Sequence, residues 1–339
     1  MTRSVPPGAH ARTVTKGGPG GGSTVAFQTF GCKANQYDTE RMRQELEARG
    51  ASSVADWREA GVCVVNTCTV TNQADADARR FIRKVRRENP GVRIVVAGCS
   101  AALRAPEYRA NPAVDGVIEG HDPVRVAEAA GVVGGGPGGV HGGVHGGGAG
   151  AGGLVQIGLP RSREAPDASG SRDGGDPSRS LDRMDSEPVG AEILLRRDGA
   201  TRGWLKVQDG CDRKCSFCAT RLARGSSRSR CPDEIVREAR ALSRTHPELV
   251  ITGIHIGHYG LDLDPALSLG RLVARLLDEV PGPRFRLGSV EATEIDDLLL
   301  DLMTTSGSRL APHLHMPLQS GADPVLRRMR RWHTREMYR

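Results

Sequence analysis

GCDRKCSFC, residues 210–218, places Cys211, Cys215 and Cys218 in a C-x3-C-x2-C pattern directly after a strand-like run, Trp204 to Val207. Three thiolates this close bind an iron–sulfur cluster well, but a four-iron cluster has four corners to ligate. One iron is left open to bind something else. Structural zinc usually takes four closed ligands, so a set of three favours an open, reactive centre. Beyond this loop, helical and strand-like stretches alternate. A helix is predicted from Pro232 to Arg244, a strand over Glu248–Thr252 and a helix over Leu267–Val280. A strand at Arg284–Val290, a helix at Ile295–Thr304, a strand at Pro312–Met316 and a helix starting near Asp323 complete the series. Four βα units of this kind predict a partial (β/α) barrel, with its chemistry on the loops at the carboxyl ends of the strands.

The first half of the chain shows the same rhythm. A strand over residues 24–30 ends at Gly31-Cys32, and a helix follows, with Asp38 as a cap and Met42, Leu46 and Ala48 on its apolar face. GVCVVN (61–66) reads as a buried strand ending at Thr67-Cys68, residues 74–88 as an arginine-rich helix, and VRIVVA (92–97) as a strand ending at Gly98-Cys99. Strand, helix, strand, helix, strand predicts an α/β domain with a parallel sheet and right-handed crossovers. Cys32, Cys68 and Cys99 each fall one or two residues past the carboxyl end of such a strand, the edge where open parallel sheets bind ligands. Each alone reads equally as a small buried thiol. Together, at equivalent strand ends, they point to a second cluster held by three cysteines. Cys63 lies inside its strand and reads as core, and Cys231 has no partner at ligand spacing.

The chain has 339 residues, enough for two domains, with 38% hydrophobic and 26% charged residues. No apolar run reaches the ~18 residues that cross a bilayer, and residues 1–23 lack the apolar core of a secretory signal and read as a disordered tail. The expectation is a cytoplasmic protein, without membrane association. Eight cysteines in such a chain suggest metal or redox chemistry rather than disulfides. Residues 131–192, rich in Gly, Pro and Ser, read as a flexible linker between a domain over 24–130 and one over 193–339. The net charge of +7 suits a polyanionic partner, while 4% aromatics argues against broad base-stacking platforms. Arg79, Arg80, Arg83, Lys84, Arg86 and Arg87 read as a solvated helix face. Arg221, Arg224, Arg228 and Arg230, just after the cysteine loop, read as phosphate contacts.

Seven further stretches accompany the cysteine loop: TFGCKANQYDTE (29–40), VVNTCTVT (64–71), VVAGCSA (95–101), ARGSSRSR (223–230), TGIHIGHYG (252–260), RLGSVEATEI (286–295) and PHLHMPLQSGAD (312–323). With these, the chain resembles the radical S-adenosylmethionine methylthiotransferases, over all but the tail and the linker. The resemblance implies two [4Fe-4S] clusters and S-adenosylmethionine. Cys211, Cys215 and Cys218 would hold the cluster that cleaves the cofactor, and Cys32, Cys68 and Cys99 an auxiliary cluster that carries the transferred sulfur. Phe217, Thr252, Gly253, Ser289, Glu291, Gln319 and Ser320 would lie near the cofactor. The reaction implied is methylthio transfer to an unactivated purine C2, chemistry that proteins delegate to cofactors. GCKANQYDTE, TGIHIGHYG and PHLHMPLQSG look most like the branch acting on N6-threonylcarbamoyladenosine next to the tRNA anticodon. Isopentenyladenosine in tRNA, or a ribosomal-protein aspartate, is the alternative target, and a non-catalytic iron–sulfur or zinc protein that binds RNA is the rival of another class. Partners implied are the tRNA anticodon loop and an electron donor such as a flavodoxin or ferredoxin, with the chain a monomer. The family usually continues into final barrel strands and a TRAM-like RNA-binding domain, so the radical SAM domain is expected to be incomplete at its C-terminus, with an exposed sheet edge.

Overall fold

The structure, a computed structural model, describes residues 23–69, 72–132, 193–197 and 199–339. Nearly all of the expected tail and of the expected linker lies outside these residues. In the first domain β1 (Thr24–Thr29) leads into α1 (Lys33–Ala48) and the short β2 (Ser52–Ser53). Then come β3 (Val62–Thr67), α2 (Asn72–Glu88), β4 (Arg93–Gly98), α3 (Cys99–Leu103), α4 (Ala105–Arg109), β5 (Gly116–Val117) and α5 (Pro123–Ala130). The sheet order is β2-β1-β3-β4-β5, and all its pairings are parallel.

The central strands lack apolar–polar alternation because both faces are covered. Val62, Val64, Val95 and Ala97 pack with Met42 and Leu46 of α1 and Val126 of α5. Cys63, Val65, Ile94 and Val96 pack on the other face against Ile82 and Val85 of α2. Cys63 is core, as its place in the strand predicted. The opposite face of α2 carries its charge: Arg83, Lys84 and Arg87 are exposed, and Arg79 pairs with Asp75 and Glu107. That matches a solvated face for these residues, whereas Arg86 is drawn inward, donating to the carbonyls of Pro90 (2.8 Å), Val92 (2.9 Å) and Ala113 (2.9 Å) and pairing with Asp115.

Register brings the strand ends level. Thr29 lies opposite Asn66, and Thr67 opposite Gly98, so Cys32, Cys68 and Cys99 leave the sheet at one edge. Asp38 does not cap α1. The helix starts five residues earlier at Lys33, and Asp38 is buried inside it against cations of the second domain.

The second domain has a parallel sheet ordered β10-β9-β6, from β6 (Arg202–Lys206), β9 (Glu248–Thr252) and β10 (Arg284–Leu287). The short β7 (Gln208–Asp209) and β8 (Arg228–Ser229) form an antiparallel pair at the mouth of the cysteine loop. Helices Pro232–Leu242, Leu269–Glu279 and Asp297–Thr305 follow β8, β9 and β10. The expected strand at Pro312–Met316 does not form. The isolated bridges Phe285–Leu310 and Ser289–His315 stand near its place, with the Ala311 amide donating to the Phe285 carbonyl (2.8 Å) and the Val290 amide to the His315 carbonyl (3.1 Å). Tyr37 of α1 packs into the second domain's core beside Trp204 and Ile235, so the two domains share a packed boundary.

Candidate active site: two cysteine triads

Glycines form the first triad's turns. Gly31 and Gly98 sit at φ +106° and +98°; a Cβ on Gly31 would lie 2.5 Å from Cys68 Sγ, and one on Gly98 2.3 Å from Asn66 Oδ1. Only glycine lets the chain turn so tightly into Cys32 and Cys99. Cys32 occupies the N-cap of the 16-residue α1. Asn35 ties the loops together, its Nδ2 donating to the carbonyls of Phe30 (2.9 Å) and Thr67 (2.8 Å). Cys68 and Cys99 are 1% and 4% exposed. Burial pushes the Cys99 thiol up to about 12; the Arg224 guanidinium opposes that shift, while Cys32 and Cys68 add to it.

The second triad lies in the loop between β7 and the helix Thr220–Arg224. Gly210, at φ +69°, closes this loop, and a Cβ there would strike the Ser226 carbonyl. The Cys211 amide donates to the Gly225 carbonyl (3.1 Å) and that of Cys218 to the Cys215 carbonyl (3.2 Å). Burial pushes the Cys211 thiol up to about 11, and Cys218 and Cys215 add to the shift. Each sulfur has a polar neighbour: His255 Nδ1 at 3.5 Å from Cys211, Arg331 Nη1 at 3.5 Å from Cys215, Thr220 Oγ1 at 3.0 Å from Cys218. Cys218 is exposed and Phe217 is 52% exposed, so this triad has an open side.

Around that side stands a group of residues that sequence reasoning missed. His255 and His258 stack with centroids 3.9 Å apart, and Glu294 accepts from His255 Nε2 at 2.7 Å. Burial alone would raise the Glu294 carboxyl, but its bonds with the two histidines win and hold it at about 2. Ligand-type atoms of His255, His258 and Glu294 lie within 4.8 Å of one another. Arg213, 2.9 Å from His258 Nε2 and 3.6 Å from Glu294, already supplies positive charge there. Arg213 and Arg331 both lie over the Trp332 ring, at 4.1 and 4.0 Å. The pair His255 and His258 sits in a strand-end loop, the one signal that could have drawn attention to it.

The expected cofactor contacts divide. Glu291 is buried and paired with Arg331, which in turn reaches Cys215. Thr252 ends β9, and the loop from Gly253 folds over Gln208, whose Oε1 accepts from the amides of Ile254 (3.1 Å) and His255 (2.7 Å). Ser289 is bonded to His315 (2.7 Å), Ser320 Oγ accepts from the Ala322 amide (3.1 Å), and exposed Gln319 takes a left-handed φ of 63°.

Two of the four phosphate contacts are overturned. Arg224 and Arg230 are each 1% exposed. Arg230 pairs with fully buried Glu238 (3.0 Å) and donates to the Lys206 carbonyl (2.7 Å). Arg224 pairs with Asp38 (2.7 Å) and Asp209 (2.9 Å). Neither guanidinium faces an outside polyanion. Arg221 and Arg228 are half-buried, with Arg228 donating to the Arg224 carbonyl (3.2 Å).

Two family models match the chain: Uncharacterized protein family UPF0004 over residues 24–119 and the radical SAM superfamily over residues 205–339. Among curated relatives, the threonylcarbamoyladenosine tRNA methylthiotransferase MtaB of Bacillus subtilis is 34% identical over 318 residues, 93% of this chain and 62% of the relative. The MtaB of Thermotoga maritima is 31% identical, over 91% of this chain and 61% of its own length. The tRNA-2-methylthio-N(6)-dimethylallyladenosine synthase of Bacillus pumilus is 28% identical, over 95% of this chain and 57% of its own length. The chain thus spans about three-fifths of the length of these curated relatives. The two matched models fall on the two triad-bearing regions in turn, and over most of its length the chain is similar to radical SAM methylthiotransferases.

Proposed function

We propose that the protein is a tRNA methylthiotransferase that modifies C2 of N6-threonylcarbamoyladenosine beside the anticodon. The observation that carries this reading is the pair of three-cysteine sets at the carboxyl edges of two parallel sheets, joined through one buried arginine. Identity favours the threonylcarbamoyladenosine branch, whose relatives are 29–34% identical against 28% for the dimethylallyladenosine relative of Bacillus pumilus.

The donor sets fit open clusters. Each gathers three thiols, and the histidine near the first triad, His121, has its ring nitrogen 3.1 Å from Arg224 Nη2 and 3.7 Å from Cys99 Sγ. Burial and the Arg224 charge hold that imidazole neutral, with its pKa near 3. Because a guanidinium can only donate, Arg224 Nη2 holds the lone pair of His121 Nε2, which is therefore not free to close the site as a fourth ligand. With clusters and S-adenosylmethionine bound, they would supply one-electron reduction, the radical that removes the C2 hydrogen, and the sulfur.

The chain's own residues would do the rest. Cys211, Cys215 and Cys218 would hold the radical-generating cluster at the open mouth, and Cys32, Cys68 and Cys99 the auxiliary one in the closed sheet edge. Arg331, bonded to Glu291 and Cys215, would fix one wall of the cofactor pocket. Arg213, over Trp332, would hold positive charge where a carboxylate or phosphate must lie. Arg221 and Arg228 would contact the tRNA backbone, and a small iron–sulfur or flavin protein would deliver the electron. No described helix is long and apolar enough to cross a membrane, and the reading places the protein with tRNA in the cytoplasm.

Mass spectrometry of tRNA nucleosides from a strain lacking the gene tests this. Loss of the 2-methylthio group from N6-threonylcarbamoyladenosine, restored by the chain, is expected. An unchanged nucleoside profile contradicts it, and loss from the isopentenyl nucleoside instead reassigns the substrate.

A further inference from the structure

Arg224 ends the short helix that starts two residues after Cys218, yet its guanidinium reaches into the other domain. Its Nε donates to Cys99 Sγ at 3.2 Å. Nη1 lies 2.9 and 3.0 Å from the two Asp209 oxygens. Nη2 lies 2.6 Å from Asn35 Oδ1, 2.7 Å from Asp38 Oδ2 and 3.1 Å from His121 Nε2. The side chain is 1% exposed, and these partners come from α1, the residue after β4, the loop before α5, and β7.

The two carboxylates do not by themselves call for a guanidinium. Lys206 Nζ already bridges them, 2.7 Å from Asp38 and 2.6 Å from Asp209. A second ammonium would balance the remaining charge as well. A guanidinium alone adds a donor at its neck, fixed in the plane of the fork that the carboxylates grip. That extra donor points at sulfur. Asp38 and Asp209 also offset the net charge of Lys206 and Arg224, so the local effect on Cys99 is that of an oriented N–H bond.

We propose that Arg224 is a positioning residue for the auxiliary centre: its Nε–H donates to the Cys99 sulfur and sets the reduction potential of a cluster held by Cys32, Cys68 and Cys99. This rests on the reading of those three cysteines as cluster ligands. Hydrogen bonds to cluster sulfurs are among the levers that set potential. The added electron raises negative charge on the thiolate sulfur, and a donor aimed at it favours the reduced state. The same arginine lies six residues after Cys218, so one short helix links the two triads.

The test uses the full chain with Cys211, Cys215 and Cys218 replaced by alanine, so that only the auxiliary cluster assembles. In an EPR-monitored redox titration, Arg224→Gln is expected to disfavour reduction about tenfold, a shift of about 59 mV to more negative potential for one electron. Arg224→Lys is expected to shift it less. A purely structural role would lower the melting temperature and leave the potential in place. Because a substitution here strands Asp38 and Asp209, a second measurement uses arginine as it stands. In protein labelled with 15N-arginine, pulsed EPR of the reduced cluster is expected to detect a 15N coupling. Bound iron with an unshifted potential in Arg224→Gln, or no 15N coupling, overturns the inference alone. Failure of this triad to hold iron overturns it together with the functional reading beneath it.

Discussion

Cys68 and Cys99 lie in a closed sheet edge, 1% and 4% exposed, whereas Cys218 is exposed and Phe217 beside it is 52% exposed. The first triad is assembled from three strand ends far apart in sequence and is sealed by a guanidinium from the other domain. The second comes from one nine-residue loop and faces a ring of histidine, arginine and tryptophan side chains. Local spacing suffices to gather three thiols in a loop with an open side. Enclosure needs a sheet, a helix N-terminus and a partner domain. The contrast suits a division in which one site admits a reagent and the other retains a reactive sulfur.

The largest effects should come from separating the triads. Cys215→Ala is expected to reduce 5′-deoxyadenosine formation to background while the other triad keeps its iron; normal cofactor cleavage would break the division. Cys99→Ala is expected to do the reverse, with cofactor cleavage continuing and methylthio product absent. Product formation in that variant would show that the closed triad holds no transferable sulfur.

Next is the domain boundary, where Arg230, Glu238 and Tyr37 meet without water access. Arg230→Ala removes the cation from buried Glu238, leaving it only the neutral donors Tyr37 Oη and the Leu194 amide, and is expected to cost about 3–5 kcal/mol, read as a fall in Tm. A change within about 0.5 kcal/mol would mean the pair is not buried as described. Thiol chemistry of the metal-free chain gives a smaller contrast. Cys99, pushed up to about 12 and enclosed, carries less thiolate near pH 8 than an ordinary thiol. Iodoacetamide should therefore modify exposed Cys218 at least roughly tenfold faster; equal rates would contradict the enclosure. The smallest expected effect is at the rim. Arg221→Glu should reduce the salt slope of tRNA binding by about one, and an unchanged slope removes Arg221 from the interface.

Legibility in the sequence followed the range of the interactions. The strand Glu248–Thr252 and the helix beginning at Pro232 were readable from local pattern and a proline start. The convergence of Cys32, Cys68 and Cys99 was readable because a parallel sheet puts its strand ends on one edge. Arg224 and Arg230 read as outward-facing because what buries them comes from the other domain: beside the nearby carboxylates Asp209 and Glu238 they meet Asp38 and Tyr37, 186 and 193 residues away. Asp38 was misread as a cap for the same reason. His255 and His258 stand out only as a histidine pair in a strand-end loop, and their tie to Glu294 is not legible because 39 residues separate His255 from that glutamate. The stretch Pro312–Met316 pairs with the sheet only through an isolated bridge at His315, because strand pairing depends on the neighbouring strand as well as on local pattern.

Iron and sulfide content after anaerobic reconstitution tests the central claim of two open clusters on one chain most directly. The full chain is expected to bind roughly eight irons, falling to about four when Cys211, Cys215 and Cys218 are replaced by alanine, and to about four when Cys32, Cys68 and Cys99 are replaced instead. Colourless protein with stoichiometric zinc, or about four irons that vanish with one triad and ignore the other, would contradict it.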